Sequence, residues 1–135
     1  MQQPLTQYQN GEAPARATAV TGSHALFRAP FAGKVTSAAF IADALLTGAN
    51  TNTRKIAIVN KGQAGAGTTE VAAKQFNSGV NAAAFDETAL TLSATAADLV
   101  VAEGDILAVV STAVGTGLAD PGGVIEVKFA RTPTA

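Results

Sequence analysis

The chain of 135 residues has no cysteine and no tryptophan, and only one histidine, one tyrosine and one methionine. Without cysteine there are no disulfides and no thiolate metal sites. Without tryptophan, and with Tyr8 the single tyrosine, it has almost none of the aromatic platforms that stack on sugar rings. No apolar run approaches about 18 residues, the length of a membrane-spanning helix. Charge of one sign never accumulates: nine basic and ten acidic residues are scattered in runs of no more than two, for a net charge of −1. A nucleic-acid partner therefore has no electrostatic footprint. The N-terminus, MQQPLTQYQNGEAPARA, lacks a basic segment followed by an apolar core. That excludes a signal peptide of the usual form, and the expectation is a soluble protein made in the cytosol. The single histidine, His24, leaves little room for a catalytic triad. Its neighbour Ser23 would point to the opposite face of a strand, and no G-x-S-x-G elbow supplies another serine.

What is present is a β pattern. Hydrophobic residues make up 47% of the chain, many of them alanine, so the core is expected to be thin and filled out by Phe, Val, Leu and Ile. Residues 1–20 are polar, Gln-rich and broken by Pro4, Gly11 and Pro14, without periodicity. They read as an extended N-terminal arm whose only large apolar groups in its first half, Leu5 and Tyr8, are its candidate anchors. Residues 21–135 read as one body. Short β runs occur at 24–29, 33–42, 53–60, 68–76, 88–94, 98–114 and 123–131, separated by the turn clusters TGANTN, NKGQAGAG, NSGVN and GTGLADPGG. The expected fold is all-β: a single antiparallel β-sandwich or barrel, jelly-roll-like, with about seven to nine strands. Within it, Val35, Ser37, Ala39 and Ile41 are expected on one face. The run 98–114 reads as two strands around a tight turn at Glu103-Gly104, and NAAAFDETA could hold one helical turn.

The most suggestive chemistry is the glycine loop NKGQAGAGTTE, residues 60–70. The spacing of Gly62 and Gly67, followed by Thr68-Thr69, approaches a phosphate-binding P-loop. Thr68 stands where the lysine belongs, however, and TTEVAAK carries no helix start to aim amides at a phosphate. The order G-x-x-G-x-G is also not a dinucleotide fingerprint. The loop reads as a tight surface turn between strands. No acidic cluster matches a calcium loop. AEGD and DPGG read as turns, with Gly104 at positive φ, Asp105 bonding local amides and Pro121 presetting the angle. No catalytic, cofactor-binding or metal-ligating set emerges.

The stretches FRAPFAGKVTSAAFIADALLTGANTNTRKIAIVNKGQAGAGTTEVA, FDETALTLS, VAEGDILAVVSTAVGTGLADPGG and VIEVKFAR resemble the capsid decoration (cement) proteins of tailed bacteriophages. The resemblance runs from about residue 25 to 131, and its most specific pieces are LTGANTNTRKIAIVNKGQAGAGTT and GDILAVVSTAVGTGLADPGG. It implies a structural, non-enzymatic virion protein without cofactor. It implies a homotrimer seated on the outer surface of the expanded head between capsomers. The partners it implies are the major capsid protein and sister subunits, with no nucleic acid and no membrane. Asn50 and Asn52 in TGANTN, and Gly62, Gly65 and Gly67 in the glycine loop, are the expected contact positions beside Leu5 and Tyr8. Two other readings compete. One is a fibre, baseplate or carbohydrate-binding β-sandwich that recognises a host surface. The other is a small trimeric β enzyme that hydrolyses nucleotides.

Overall fold

The computed structural model describes residues 6–131. They form ten β-strands and one 3-10 turn. The strands are β1 (Thr6–Ala13), β2 (Gly22–Arg28), β3 (Gly33–Ala42), β4 (Thr53–Asn60), β5 (Thr69–Gln75), β6 (Glu87–Ala89), β7 (Thr91–Leu92), β8 (Val100–Val101), β9 (Ile106–Val114) and β10 (Gly123–Arg131). Sheet I has the order β1-β10-β3-β6, with β8 also pairing β3. Sheet II has the order β2-β9-β4-β5-β7. All pairings between these strands are antiparallel.

The pairs are nested. β1 pairs with β10, β2 with β9, β3 with β6 and β8, and β4 with β5. The outermost pair of the chain is rolled around the next, and the partners alternate between the two sheets. This is the jelly-roll arrangement of a two-sheet sandwich. The expected fold class is thus the observed one. The strand number exceeds the expected seven to nine because β6, β7 and β8 are only two or three residues long.

The core lies between the sheets. Phe40, Phe76, Phe129, Ile56, Ile58, Leu107, Ile125 and Val127 are each fully or almost fully buried. Burying a large apolar side chain of this kind contributes about 1.5–3 kcal/mol. Alternation explains why β10 faces as it does: Ile125, Val127 and Phe129 go in, while Val124, Glu126 and Lys128 go out. Phe31 stacks on Phe129 at 4.7 Å between ring centroids and closes the core at that end.

Three local readings differ from the sequence expectation. Val35 does not share a face with Ser37, Ala39 and Ile41. The register between β3 and β10 slips at Lys128/Phe129, so Val35 is in the core while Ala38, Phe40 and Ala42 take over the inward positions. The run 98–114 is not a hairpin. β8 pairs with β3 in sheet I and β9 lies in sheet II, so the Glu103-Gly104 turn carries the chain across the sandwich. The stretch 88–94 likewise divides at Leu90, with β6 on sheet I and β7 on sheet II. Buried Leu90 fills that corner, and its N–H donates to Ala38 O. NAAAFDETA runs against the end of β3 without a helix, and Phe85 takes a turn conformation at φ 57°.

Within the stretch read as an arm, residues 6–13 are β1, paired along their whole length with β10. A strand needs only its backbone amides and carbonyls to complete a sheet edge. A Gln-rich segment without alternation can therefore serve.

Candidate functional site

The glycine loop connects β4 to β5, and its sequel is the strand that the sequence indicates. Two of its glycines, Gly62 and Gly65, sit at φ 70° and 83°, where a side chain is strained. Gly67 serves differently. A Cβ there would lie 2.4 Å from Asn60 O and 2.8 Å from the Lys61 carbonyl carbon. The loop spends its amides on itself. Gly62 N donates to Asn60 Oδ1 at 2.8 Å, and Gly67 N donates to Lys61 O at 2.9 Å. The turn 102–105 anchors it from outside: Ile106 N donates to Gly62 O, and Gln63 Nε2 donates to Glu103 O. Asp105 accepts from Ala102 N and from Asn60 Nδ2, as its place after Gly104 suggests. With the amides of Gly62 and Gly67 already bonded and no helix behind them, a phosphate cradle is not formed here.

At the opposite end of β4 lies a feature that the sequence does not announce. Arg54 is completely buried, on the inward side of β4. Its guanidinium donates to Leu118 O from both Nε and Nη2, to Val20 O and Ser111 Oγ from Nη1, and to Ala17 O from Nη2. Ser111 Oγ then donates to Asp120 Oδ2 at 2.6 Å, and Asp120 Oδ1 accepts from Gly122 N at 2.8 Å. Arg16 and Asp120 exchange backbone hydrogen bonds. One side chain therefore ties the β1–β2 connection and the β9–β10 connection to the end of sheet II. Burial lowers the pKa of Arg54; the Asp120 carboxylate opposes that shift and Arg16 adds to it. The planar fork of five donors meets carbonyls on several sides, which an ammonium group could not do. DPGG bends through the Asp120 side chain, which accepts from Gly122 N, and Gly123 already begins β10; the aspartate is also a buried counter-charge to Arg54.

The expected contact residues do not converge. Leu5 lies outside the described residues. Tyr8 is 55% exposed on the outer side of β1, with Lys128 Nζ 5.8 Å from its ring centre. Asn50 is exposed. Asn52 Oδ1 accepts from Thr116 N at 3.0 Å and so holds the β9–β10 loop. Asn50 and Asn52 sit at the Arg54 end of β4, whereas Gly62, Gly65 and Gly67 sit at the other end, roughly 26 Å away at about 3.3 Å per strand residue. His24 and Ser23 are neighbours on exposed β2, opposite Val109 and Val110 of β9. Among the described residues, no group of three or more His, Asp or Glu is placed to hold a metal ion.

The outer face of sheet II is the other notable surface. Ala57, Val59, Ala108 and Val110 alternate with the core residues Ile56, Ile58, Leu107 and Val109, and so point away from the core. Register places Ser23, Val110, Ala57 and Ala73 in one row across four strands, and Ala25, Ala108, Val59 and Glu70 in the next. The charges near its middle are Lys55 and Glu70, paired with each other at 2.9 Å. Lys61 and Gly65 of the glycine loop rim this face beside Ala25, Ile106 and Ala108.

No family model and no curated protein matches the chain. Among solved structures, the chain aligns with one titled "Structure of infectious bursal disease virus Gx strain", at a TM-score of 0.42 and 10% identity. The alignment covers 93% of this chain and 32% of that one, so the chain spans about a third of its neighbour's length. A likeness at that score carries no functional argument.

Proposed function

We propose that this protein is a structural virion protein, a decoration or cement protein that binds the outside of a tailed-phage capsid between capsomers and stabilises the expanded head. In this reading it acts as a homotrimer, and its partners are the major capsid protein and its sister subunits. Leu5, Tyr8 and the exposed loops around Asn50, Asn52 and the three glycines are its candidate contacts.

One observation carries the reading. The two most specific pieces of the sequence resemblance fold side by side, as β4 with its flanking loops and β9 with the loop after it. Their outward positions mix Ala57, Val59, Ala108 and Val110 with Lys55 and Thr112, and Arg54, Ser111 and Asp120 bind them into one unit. A rigid, low-charge sandwich suits a bridge between capsomers, where internal pressure must separate many such contacts at once. The test is addition of purified protein to expanded, undecorated heads. The expected result is saturable binding at a fixed number of copies per head and a higher temperature of head disruption. Absence of saturable binding would sink the proposal.

A further inference from the structure

We infer that the end of sheet I around Phe85 docks on a basic surface of the capsid protein, with the Phe85 ring as the anchor. This rests on the head-binding role proposed above, and it names the end of the molecule that makes the contact.

The chain has six phenylalanines. Phe40, Phe76 and Phe129 are buried, and Phe27 and Phe31 pack against the same core. Phe85 is turned out instead. At 79% exposed, it is the most exposed large apolar side chain among the described residues. Its backbone sits at φ 57°, a conformation that glycine or asparagine adopts at less cost than a bulky residue. The position is nonetheless fixed. Phe85 N donates to Ala42 O at 2.8 Å, and Ala82 exchanges backbone hydrogen bonds with Leu46. A ring that the backbone already orients loses little freedom on docking. Leu45, 63% exposed, precedes Leu46 on the facing segment. Asp43 N donates to Gly122 O, and Val124 follows on β10, 40% exposed.

The rim of this patch is acidic. Glu12, Val124, Ile41 and Glu87 form one row across the outer face of sheet I, and Asp43 and Asp86 lie just beyond it. None of these four carboxylates is in an ion pair among the described residues. Asp86 and Glu87 also line an open groove of about 480 Å³, in which Lys74 is the one base. Arg16, near this end, donates to Ser23 O on sheet II. The bases of sheet I, Lys34, Lys128 and Arg131, lie toward its other end. With a net charge of only −1, this polarity and not the total charge orients an approaching partner. An aromatic anchor inside an acidic rim fits an apolar hollow set among Lys or Arg. Two copies related by a twofold axis through the patch would set its carboxylates against each other. Thr6 and Arg131, where the chain leaves the described structure, are both at the opposite end of sheet I, so neither terminal segment starts beside the patch.

The experiment is a titration of expanded, undecorated heads with the full chain at low and high salt. Wild type is expected to bind more weakly at high salt, because the rim charges are screened. Phe85→Asn removes the ring but tolerates the backbone angle, so its thermal stability is expected to match or exceed that of wild type. Its affinity for heads is expected to fall at least about tenfold. Glu87→Lys is expected to weaken binding and reduce its salt dependence, whereas Lys34→Glu at the other end leaves both unchanged. Should Phe85→Asn misfold, Leu45→Ser on the facing segment carries the same expected loss of affinity. A folded Phe85→Asn or Leu45→Ser that binds like wild type overturns the inference and leaves the decoration role standing. Glu87→Lys that binds as tightly as wild type, or more tightly, overturns the basic partner. Wild type that does not bind heads removes the decoration role and this inference together. Self-association measured without heads by sedimentation equilibrium, present in wild type and lost in Phe85→Asn, would assign the patch to a second copy and overturn the inference.

Discussion

The two ends of sheet II are closed by opposite means. At one end, Arg54 reaches inward from β4 and gathers carbonyls from two connections, with Ser111 and Asp120 completing the network. At the other end the main chain turns through Gly62, Gly65 and Gly67, and the short side chains of Asn60, Gln63 and Asp105 tie the turn to the segment 102–105. The first solution is a side chain held by long-range partners. The second depends on three positions without side chains and on several separate, smaller bonds to the 102–105 turn. The first end should therefore fail as a unit, and the second by small increments.

Substitutions can test this contrast in order of severity. Arg54→Met keeps much of the volume but leaves the Ala17, Val20 and Leu118 carbonyls and the Asp120 carboxylate without their cation; the expected loss is about 3–5 kcal/mol by urea denaturation. A loss below about 1 kcal/mol would mean that water replaces the guanidinium and that the two ends differ little. Ser111→Ala removes the hydroxyl that accepts from Arg54 Nη1 and donates to Asp120, and should cost about 1–3 kcal/mol. In the glycine loop, Gly67→Ala drives a methyl group into the Asn60 and Lys61 backbone, with an expected loss of about 1–2 kcal/mol. Gly65→Ala meets no atom within 4 Å and suffers only from its positive φ, so about 1 kcal/mol is expected. If Gly65→Ala proved worse than Gly67→Ala, conformation and not crowding would govern this end.

The same contrast explains what the sequence reveals. The glycine loop was legible because its cause is local: three glycines between two β runs, with no lysine and no helix to follow. The body was legible for the same reason, since period-2 stretches such as 123–131 report directly on a sheet face. Arg54 was not. TRKIAIVN looks like an ordinary strand with two charges at its start, and only the pairing of β4 with β9 brings Ser111 beside it. The division of 88–94 and of 98–114 between sheets was hidden too. Crossing from one sheet to the other depends on which partner waits on each side, and local composition holds no record of that. The bulge at Thr36, beside Val35, belongs to the same class, because register is settled by two strands that lie far apart in sequence.

The nesting of the strands also sets a timetable. β10 lies between β1 and β3, and Thr6 pairs with Ala130. β2 has no ladder partner in sheet II besides β9. A chain emerging from the ribosome at about 5–20 residues per second can close the β4–β5 hairpin early. Sheet I has no middle until the last of these strands is made. For most of its synthesis, then, β1 remains a lone edge without its mate, and the molecule completes both sheets only after nearly all of the described chain has been released. Such distant pairing makes folding slow, and the unpaired edges of β1 and β2 are where a half-made chain is most exposed to its neighbours.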